Sequence, residues 1–123
     1  PAVVIKNGVI ANNFKDTKNL EIVMISFDYI HDTPSILKEF YGGSISGYKN
    51  WSVWSSVENI ADLYTLSSEI GCEFWGIEEN NIGHNLRSAL IGPKSELLKV
   101  WGGDDWLAKD VVKDIENYMT MVN

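Results

Sequence analysis

The stretch LEIVMISF at residues 20–27, followed by DYIHDTP at residues 28–34, decides the fold of this chain. The first part is a short, nearly continuous apolar run, which is typical of a strand buried on both faces of a parallel sheet. The second part is polar and predicts a loop. Its last two residues, Thr33 and Pro34, predict the start of a helix with proline at the first helical position.

Apolar spacing and turn residues predict the other elements of the chain. They are a helix at Ala2–Phe14, a strand at Trp51–Trp54, a helix running from a capping box at Ser55 and Glu58 to Gly71, strands at Leu86–Ile91 and Leu97–Trp101, and a last helix capped by Asp104 or Asp105. In the helix that begins at Pro34, Phe40 is expected on the buried face, and Gly42-Gly43 are expected to end it.

The order of these elements predicts an α/β fold of the thioredoxin-like class, a mixed sheet flanked by helices, in one domain over residues 1–123. In that fold the central strand precedes the first helix and lies between the strands at 20–27 and 86–91. This chain shows no such strand, so both neighbours would leave backbone groups unpaired toward a buried space, which is costly. We therefore expect the domain to be N-terminally incomplete, with a strand and a loop before Pro1.

Composition excludes several classes of function. The chain carries 17 acidic and ten basic residues, a net charge of −7, and its lysines form no stripe, so nucleic-acid binding is not expected. No apolar run approaches the roughly 20 residues that cross a bilayer. The one cysteine, Cys72, cannot form an intrachain disulfide, and its apolar neighbourhood favours a small buried side chain over a reactive thiol.

Three segments should meet at one edge of the sheet. Ligands of open α/β sheets bind beyond the carboxyl ends of the parallel strands, which places residues 28–34 there. The strand at 86–91 should run antiparallel, so that its entry at His84 lies at the same edge, together with whatever precedes Pro1. An imidazole there suits metal binding or acid–base chemistry, although a surface histidine that only hydrogen-bonds fits the sequence equally well.

The other polar side chains near this edge favour structural roles. His31 is interpreted as an exposed loop histidine between two carboxylates. Asp28 and Asp32 could form an acid–base pair, but ordering the loop and capping the following helix is the preferred interpretation. Glu78 and Glu79 could attract a cation or a basic partner, whereas a solvated acidic turn is the simpler interpretation.

Two blocks of this sequence resemble the Sco/SenC family. The first is IVMISFDYIHDTP at 22–34, a buried strand followed by an aspartate-containing loop and Asp-Thr-Pro. The second is His84 with LRSALIGPKSELLKVWGG at 86–103, which is similar to that family's copper-ligand histidine, strand, Gly-Pro turn and second strand. With the helices between and after them, these blocks span most of residues 20–121.

The resemblance implies a metal site with His84 as its third ligand. Family members bind copper, Cu(I) or Cu(II), through this histidine and two cysteines of a Cys-x-x-x-Cys-Pro motif, and Pro1-Ala2 resembles the residues directly after the second cysteine. The implied cofactor is copper, and the implied partner is the copper-receiving subunit of cytochrome c oxidase or another thiol or copper protein. The implied location is periplasmic or extracytoplasmic, with a membrane anchor.

The sequence departs from the family pattern in three places. Neither cysteine of the motif is present, so the chain as printed could not hold copper in the family's way. Tyr29 stands where the family often has proline after the aspartate, and the hairpin turn reads Pro-Lys-Ser where Pro-Asp-Gly is usual. The last two changes are tolerable at a surface, whereas the first makes copper binding depend on cysteines before Pro1.

These observations leave three hypotheses. The first is a copper metallochaperone that assists assembly of the copper centre of cytochrome c oxidase, and that is a carrier more than an enzyme. The second is a thiol–disulfide oxidoreductase or a peroxiredoxin-like enzyme, for which His84 would be dispensable. The third is a cysteine-free thioredoxin-like module for protein binding, which would show no metal or redox activity.

Overall fold

The computed structural model describes residues 2–17 and 19–122, with the backbone alone at 122, so that Pro1 lies outside the described residues. Helices and strands alternate as predicted. In chain order they are α1 (Ala2–Asn13), β1 (Ile22–Ile25), α2 (Pro34–Ile45), β2 (Trp51–Trp54), α3 (Ile60–Ile70), β3 (Phe74–Trp75), β4 (Gly83–His84), β5 (Arg87–Ile91), β6 (Leu97–Gly102) and α4 (Ala108–Val122). Among the described residues, no helix combines the length and apolar character needed to cross a membrane.

The strands form three separate pairs. β1 and β2 pair in parallel, with Ile22 opposite Trp51. β5 and β6 form the predicted antiparallel hairpin, with Arg87 opposite Gly102. β3 and β4 form a short antiparallel ribbon that the sequence analysis did not predict. In the part of the chain that is described, no backbone ladder joins β1 to β5.

β1 and β5 lie on opposite sides of a large cleft and run in opposite directions. Phe27, just after β1, packs against His84, just before β5, with ring centroids 4.5 Å apart. At the other end, Ile22 and Leu90 pack against the same core cluster. The cleft between them has a volume of about 1510 Å³ and is lined mainly by apolar side chains.

Backbone groups of both strands point into this cleft. The amide of Ile22 donates to the carbonyl of Asn50, just before β2, at 2.7 Å, and the amide of Ser26 donates to the carbonyl of Trp54 at 3.2 Å. Because successive residues of a strand point to opposite edges, Val23 and Ile25 direct their N–H and C=O groups away from β2 and into the cleft. On the opposite wall, Leu86 accepts from Gly103 at 3.0 Å, which turns the backbone of Ala89 toward the cleft by the same alternation. Within residues 2–17 and 19–122, the predicted absence of a central strand is therefore confirmed.

α1 runs antiparallel to β1 and begins at the same end of the cleft as His84. Lys6, in its first half, donates to the carbonyl of Asp104 just beyond β6. Ala11, in its second half, accepts from Asn50 at 3.1 Å, next to the start of β1. The N-terminal end of α1 thus lies at the mouth where β1 ends and β5 begins.

The main core joins α1 to α4. Its buried members are Ile10, Phe14, Val111 and Ile115, and Leu20, Leu90 and Trp101 pack around them. α4 presents Val111 and Ile115, four positions apart, on one helical face toward the cluster. This contact holds the β1–β2 half and the β5–β6 half together although no strand of the described chain bridges them.

Two predictions about α2 are wrong. The helix continues through Gly42 and Gly43 to Ile45, and Ser46 is its C-cap residue. Phe40 is 74% exposed, and Leu37 is the one residue of this helix that is buried. A glycine pair weakens a helix without ending it when the backbone remains in the right-handed region, as it does at the Ser46 cap.

The predicted starts of α3 and α4 are also wrong. Glu58 adopts a positive φ of 71°, and the Ser55 hydroxyl accepts from Val57 at 3.1 Å, which makes a turn and delays the helix to Ile60. α4 begins at Ala108, where the carbonyl of Leu107 accepts the first helical bonds, so neither predicted aspartate caps it. β1 is half-buried, because one of its edges faces the cleft.

A matched pair of substitutions tests the assignment of the core. Ile115 is 5% exposed in α4 and Ile5 is 69% exposed in α1. Ile115→Val should lower the free energy of unfolding by about 1 kcal/mol, because it removes a buried methylene. Ile5→Val should change it by less than about 0.5 kcal/mol. Denaturant titration of both variants measures the difference, and equal losses would contradict the assignment.

Candidate functional site at the mouth of the cleft

The structure brings three of the predicted site residues to one opening. Asp28, Asp32 and His84 all line the cleft, as does Ala2 at the start of α1. The convergence expected from the sheet topology is therefore present in the fold. His31 is not among the lining residues; its half-exposed ring pairs with Asp28.

His84 has a defined tautomer in its hydrogen bonding. Its Nδ1 lies 3.0 Å from the carbonyl oxygen of Asn85. Since a carbonyl oxygen only accepts, Nδ1 carries the proton and donates, which leaves the lone pair on Nε2. A histidine held through one ring nitrogen with the other nitrogen free is the arrangement that metal-ligating imidazoles use.

Asn85 fixes the position of His84, and sequence analysis missed it. Its side-chain oxygen accepts from the amide of Glu73 at 2.7 Å, and its side-chain nitrogen donates to the carbonyl of Gly71 at 3.3 Å. Its own amide donates to Glu73 at 3.0 Å. These bonds tie the entry of β5 to the end of α3. The only signal in the sequence was an asparagine directly after the histidine.

Gly71 lets the chain turn from α3 toward this clamp. It is the C-cap residue in the left-handed region, with a φ of 75° and a ψ of 23°. Glycine adopts this conformation without the steric penalty that a side chain would bring. The predicted end of this helix is confirmed, and Cys72 comes directly afterwards on the wall of the cleft.

Asp28 organises the loop that follows β1. Its Oδ1 accepts from the amides of Ile30 and His31 at 3.2 and 3.0 Å, and the ring nitrogen Nδ1 of His31 lies 3.1 Å away. Burial raises the pKa of the Asp28 carboxyl, but the two backbone hydrogen bonds and the His31 side chain together lower it below its ordinary value. This aspartate is therefore suited to stay ionised.

Asp32 closes the same loop from the other side. Its carboxylate accepts from the hydroxyl of Ser26, and its backbone carbonyl accepts from the hydroxyl of Ser55 at 2.5 Å. The helix α2 is capped by Thr33, whose side chain accepts from Ile36 at 3.3 Å, so the capping role suggested for the aspartates belongs to Thr33. The two carboxylates have separate partners and form no acid–base pair.

Cys72 is a half-buried free thiol near the opening. Burial raises its pKa, and the neighbouring Glu73 adds to the shift, whereas the guanidinium of Arg87 opposes it. A thiol of this kind is mostly protonated at neutral pH and is a poor nucleophile. Within residues 2–17 and 19–122, no three His, Cys, Asp or Glu side chains are grouped to hold a metal ion.

Two solved structures share this fold. One is a SCO1/SenC family lipoprotein from Bacillus anthracis, with a TM-score of 0.78 and 19% identity, covering 95% of this chain and 71% of that one. The other is ScoI from Arabidopsis thaliana with copper bound, with a TM-score of 0.71 and 13% identity, covering 96% and 73%. No family model and no curated protein matches the sequence. The predicted thioredoxin-like, Sco/SenC-like fold is confirmed.

The lowered pKa of Asp28 makes part of the stability depend on pH. A carboxyl whose pKa is lower in the folded state stabilises the fold at pH values above its pKa in the unfolded state. This contribution is lost as the pH falls through the pKa of the folded state. The stability advantage of the native protein over Asp28→Asn should therefore shrink as the pH falls from neutrality to below 3.8, the ordinary value. Urea titrations across this range measure it. Glu39→Gln, at an exposed position of α2, is the control, and parallel pH profiles for native protein and Asp28→Asn would contradict the prediction.

The raised pKa of Cys72 predicts slow alkylation. In the native protein, the rate of reaction with iodoacetamide should still be rising with pH above 9.0, the ordinary value. In denaturant, where burial is lost, the same thiol should react faster at neutral pH and titrate with the ordinary pKa of a cysteine. Mass spectrometry of samples quenched at intervals measures the rate. If the midpoint of the rate-against-pH curve were lower for the native protein than for the denatured protein, the thiol would be activated by the fold and the prediction would be wrong.

Proposed function

We propose that this domain carries copper, as a Sco-like metallochaperone, with His84 as one of its ligands. The observation that carries the proposal is the hydrogen bond from Nδ1 of His84, which lines the cleft, to the Asn85 carbonyl; this bond leaves Nε2 as the ring nitrogen that can coordinate a metal. An imidazole nitrogen suits copper in either oxidation state. The copper that is bound in the plant structure supports carrying this chemistry to the present fold.

The described residues supply one ligand and do not complete a copper site. Cys72 is the single cysteine of the sequence, and the proposed Cu(I) site needs two thiolates. We propose that two thiolates come from residues joined to the N-terminal end of α1, since Ala2 at that end lines the same cleft as His84. A helix N-terminus lowers the pKa of nearby thiols, which favours the thiolate form.

The cleft supports the same arrangement. A strand that occupied it parallel to β1 would hydrogen-bond to Val23 and Ile25 on one side and to Ala89 on the other, and would leave at the mouth where α1 begins. A parallel strand pair joined through a helix is the usual βαβ unit. Thiolates in the connection between that strand and α1 would lie next to the free nitrogen of His84.

Location and partner belong to the same proposal. One of the structural neighbours is described as a lipoprotein, which supports an extracytoplasmic, membrane-anchored protein. We propose the copper-receiving subunit of cytochrome c oxidase as the recipient, on the chemistry of copper transfer to thiolate and imidazole ligands. Electron transfer and oxidase assembly are parts of this proposal.

Copper binding by the full-length protein tests the ligand assignment. His84→Ala should weaken Cu(I) binding by about tenfold or more, measured by competition with a chromogenic chelator, because an inner ligand is lost. His31→Ala is the matched control, since His31 is exposed and bonded to Asp28 outside the opening. Its affinity should be unchanged.

The contrary outcomes separate the alternatives. Unchanged copper affinity in His84→Ala, with disulfide reduction intact, would favour a thiol–disulfide oxidoreductase. No copper binding and no reductase activity in the full-length protein would favour a module that only binds other proteins.

A further inference from the structure

Five aromatic rings form a continuous row that starts at the mouth of the cleft, passes α3 and ends in the loop at residues 28–34. In order along the row they are His84, Phe27, Phe74, Tyr64 and Tyr29, with successive centroids 4.5, 5.8, 5.0 and 6.3 Å apart. Side chains from distant parts of the sequence thus share one surface, which we call the aromatic row. His84, the first ring of the row, is exposed, and Tyr64, the fourth ring, is 51% exposed.

The β3–β4 ribbon holds the middle of the row in place. Phe74 lies opposite His84 in this ribbon, so both side chains project from the same face. On the other face, the ring of Trp75 lies directly against Gly83, where any side chain would collide with it. The ribbon therefore presents Phe74 and His84 together on one face.

The segment that contributes Tyr64, Phe74 and His84 to the aromatic row is strongly acidic. Residues 50–86 contain six of the 17 carboxylates and none of the ten lysines and arginines of the chain. The remainder of the chain holds 11 carboxylates against those ten cations and is therefore close to neutral. Among the described residues, no ion pair involves any of these six carboxylates. Six of the seven net negative charges of the protein thus fall in the segment that contributes Tyr64, Phe74 and His84.

One carboxylate is bound directly to the row. The hydroxyl of Tyr29 donates to Oε1 of Glu78 at 3.3 Å. Burial raises the pKa of Tyr29 to about 12, and hydrogen bonding to Tyr64 and the charge of Glu78 contribute, so this hydroxyl remains a donor at any physiological pH. At the loop end of the row, backbone hydrogen bonds keep Asp28 ionised.

We propose that the aromatic row and its carboxylates dock a protein whose contact face has lysines and arginines around an apolar centre. Exposed rings at the middle of an interface supply contact area at little entropic cost, and a ring of opposite charge steers the partner and sets its orientation. The charge of residues 50–86 selects a basic partner and repels acidic ones. This inference does not depend on copper binding.

Binding of short synthetic peptides to the copper-free, full-length protein tests the proposal. The probe alternates lysine and leucine, and its two comparison peptides alternate lysine with serine and glutamate with leucine. The lysine–leucine peptide should bind at least about fivefold more tightly than the lysine–serine peptide, because both charge and apolar contact are used. Its affinity should fall steeply with salt, and the glutamate–leucine peptide should not bind.

Paired variants locate the binding. Tyr64→Ala and Glu78→Gln should each lower the affinity for the lysine–leucine peptide by about fivefold. Phe40→Ala and Glu39→Gln remove a similar exposed ring and carboxylate from α2 and should leave the affinity unchanged. Tyr64→Phe keeps the ring and should bind like the native protein, which guards against misinterpreting a folding defect.

Three results would overturn the proposal. One is that Phe40→Ala weakens binding of the lysine–leucine peptide as much as Tyr64→Ala does. Another is that the lysine–serine peptide binds as tightly as the lysine–leucine peptide, because binding would then depend on charge only. The third is amide chemical-shift change centred on Val23 and Ala89, which would place the peptide in the cleft. Shifts centred on the segment from Glu73 to Glu78 would support the row as the docking surface.

Discussion

Backbone hydrogen bonding at the cleft governs the rest of this structure. β1 and β5 each use one edge for a partner strand and turn the other toward the cleft. A buried backbone group without a partner costs about 1–3 kcal/mol, so two such edges cannot be sealed by apolar side chains alone. The molecule keeps them apart as two half-sheets, and the contact between α1 and α4 connects the halves. The half-burial of β1 has the same origin.

Local chemistry made much of the fold predictable from the sequence. The apolar run at 20–27, the Gly-Pro turn of the hairpin and the left-handed glycine at position 71 each specify structure through nearby residues. The missing central strand was also predictable, because the element order fixes which strands should be neighbours. The failures lie where tertiary contacts decide. Phe40 has helical spacing with Leu37, but no neighbouring element of the described chain covers it.

The site was predictable only in part. The sheet topology placed His84 near the loop at 28–34, and the structure has them at one opening. The tautomer of His84 and the clamp formed by Asn85 depend on carbonyl directions that no side-chain pattern encodes. The aromatic row was hidden for a related reason. Tyr64 lies half-exposed on α3 against Phe74, and this contact between distant parts of the chain cannot be read from helical spacing.

The Asn85 clamp has a consequence for how the sequences of related domains can diverge. It joins the two ends of the segment from Gly71 to Asn85, which makes that segment a closed surface loop anchored at its base. At the exposed tip, around residues 79–80, residues can be inserted or deleted at small entropic cost, since loop closure depends weakly on length. The distance from His84 to β5 has no such freedom, because one added residue would turn the imidazole to the opposite face. Homologues should therefore vary in length on one side of the histidine and keep a fixed spacing on the other.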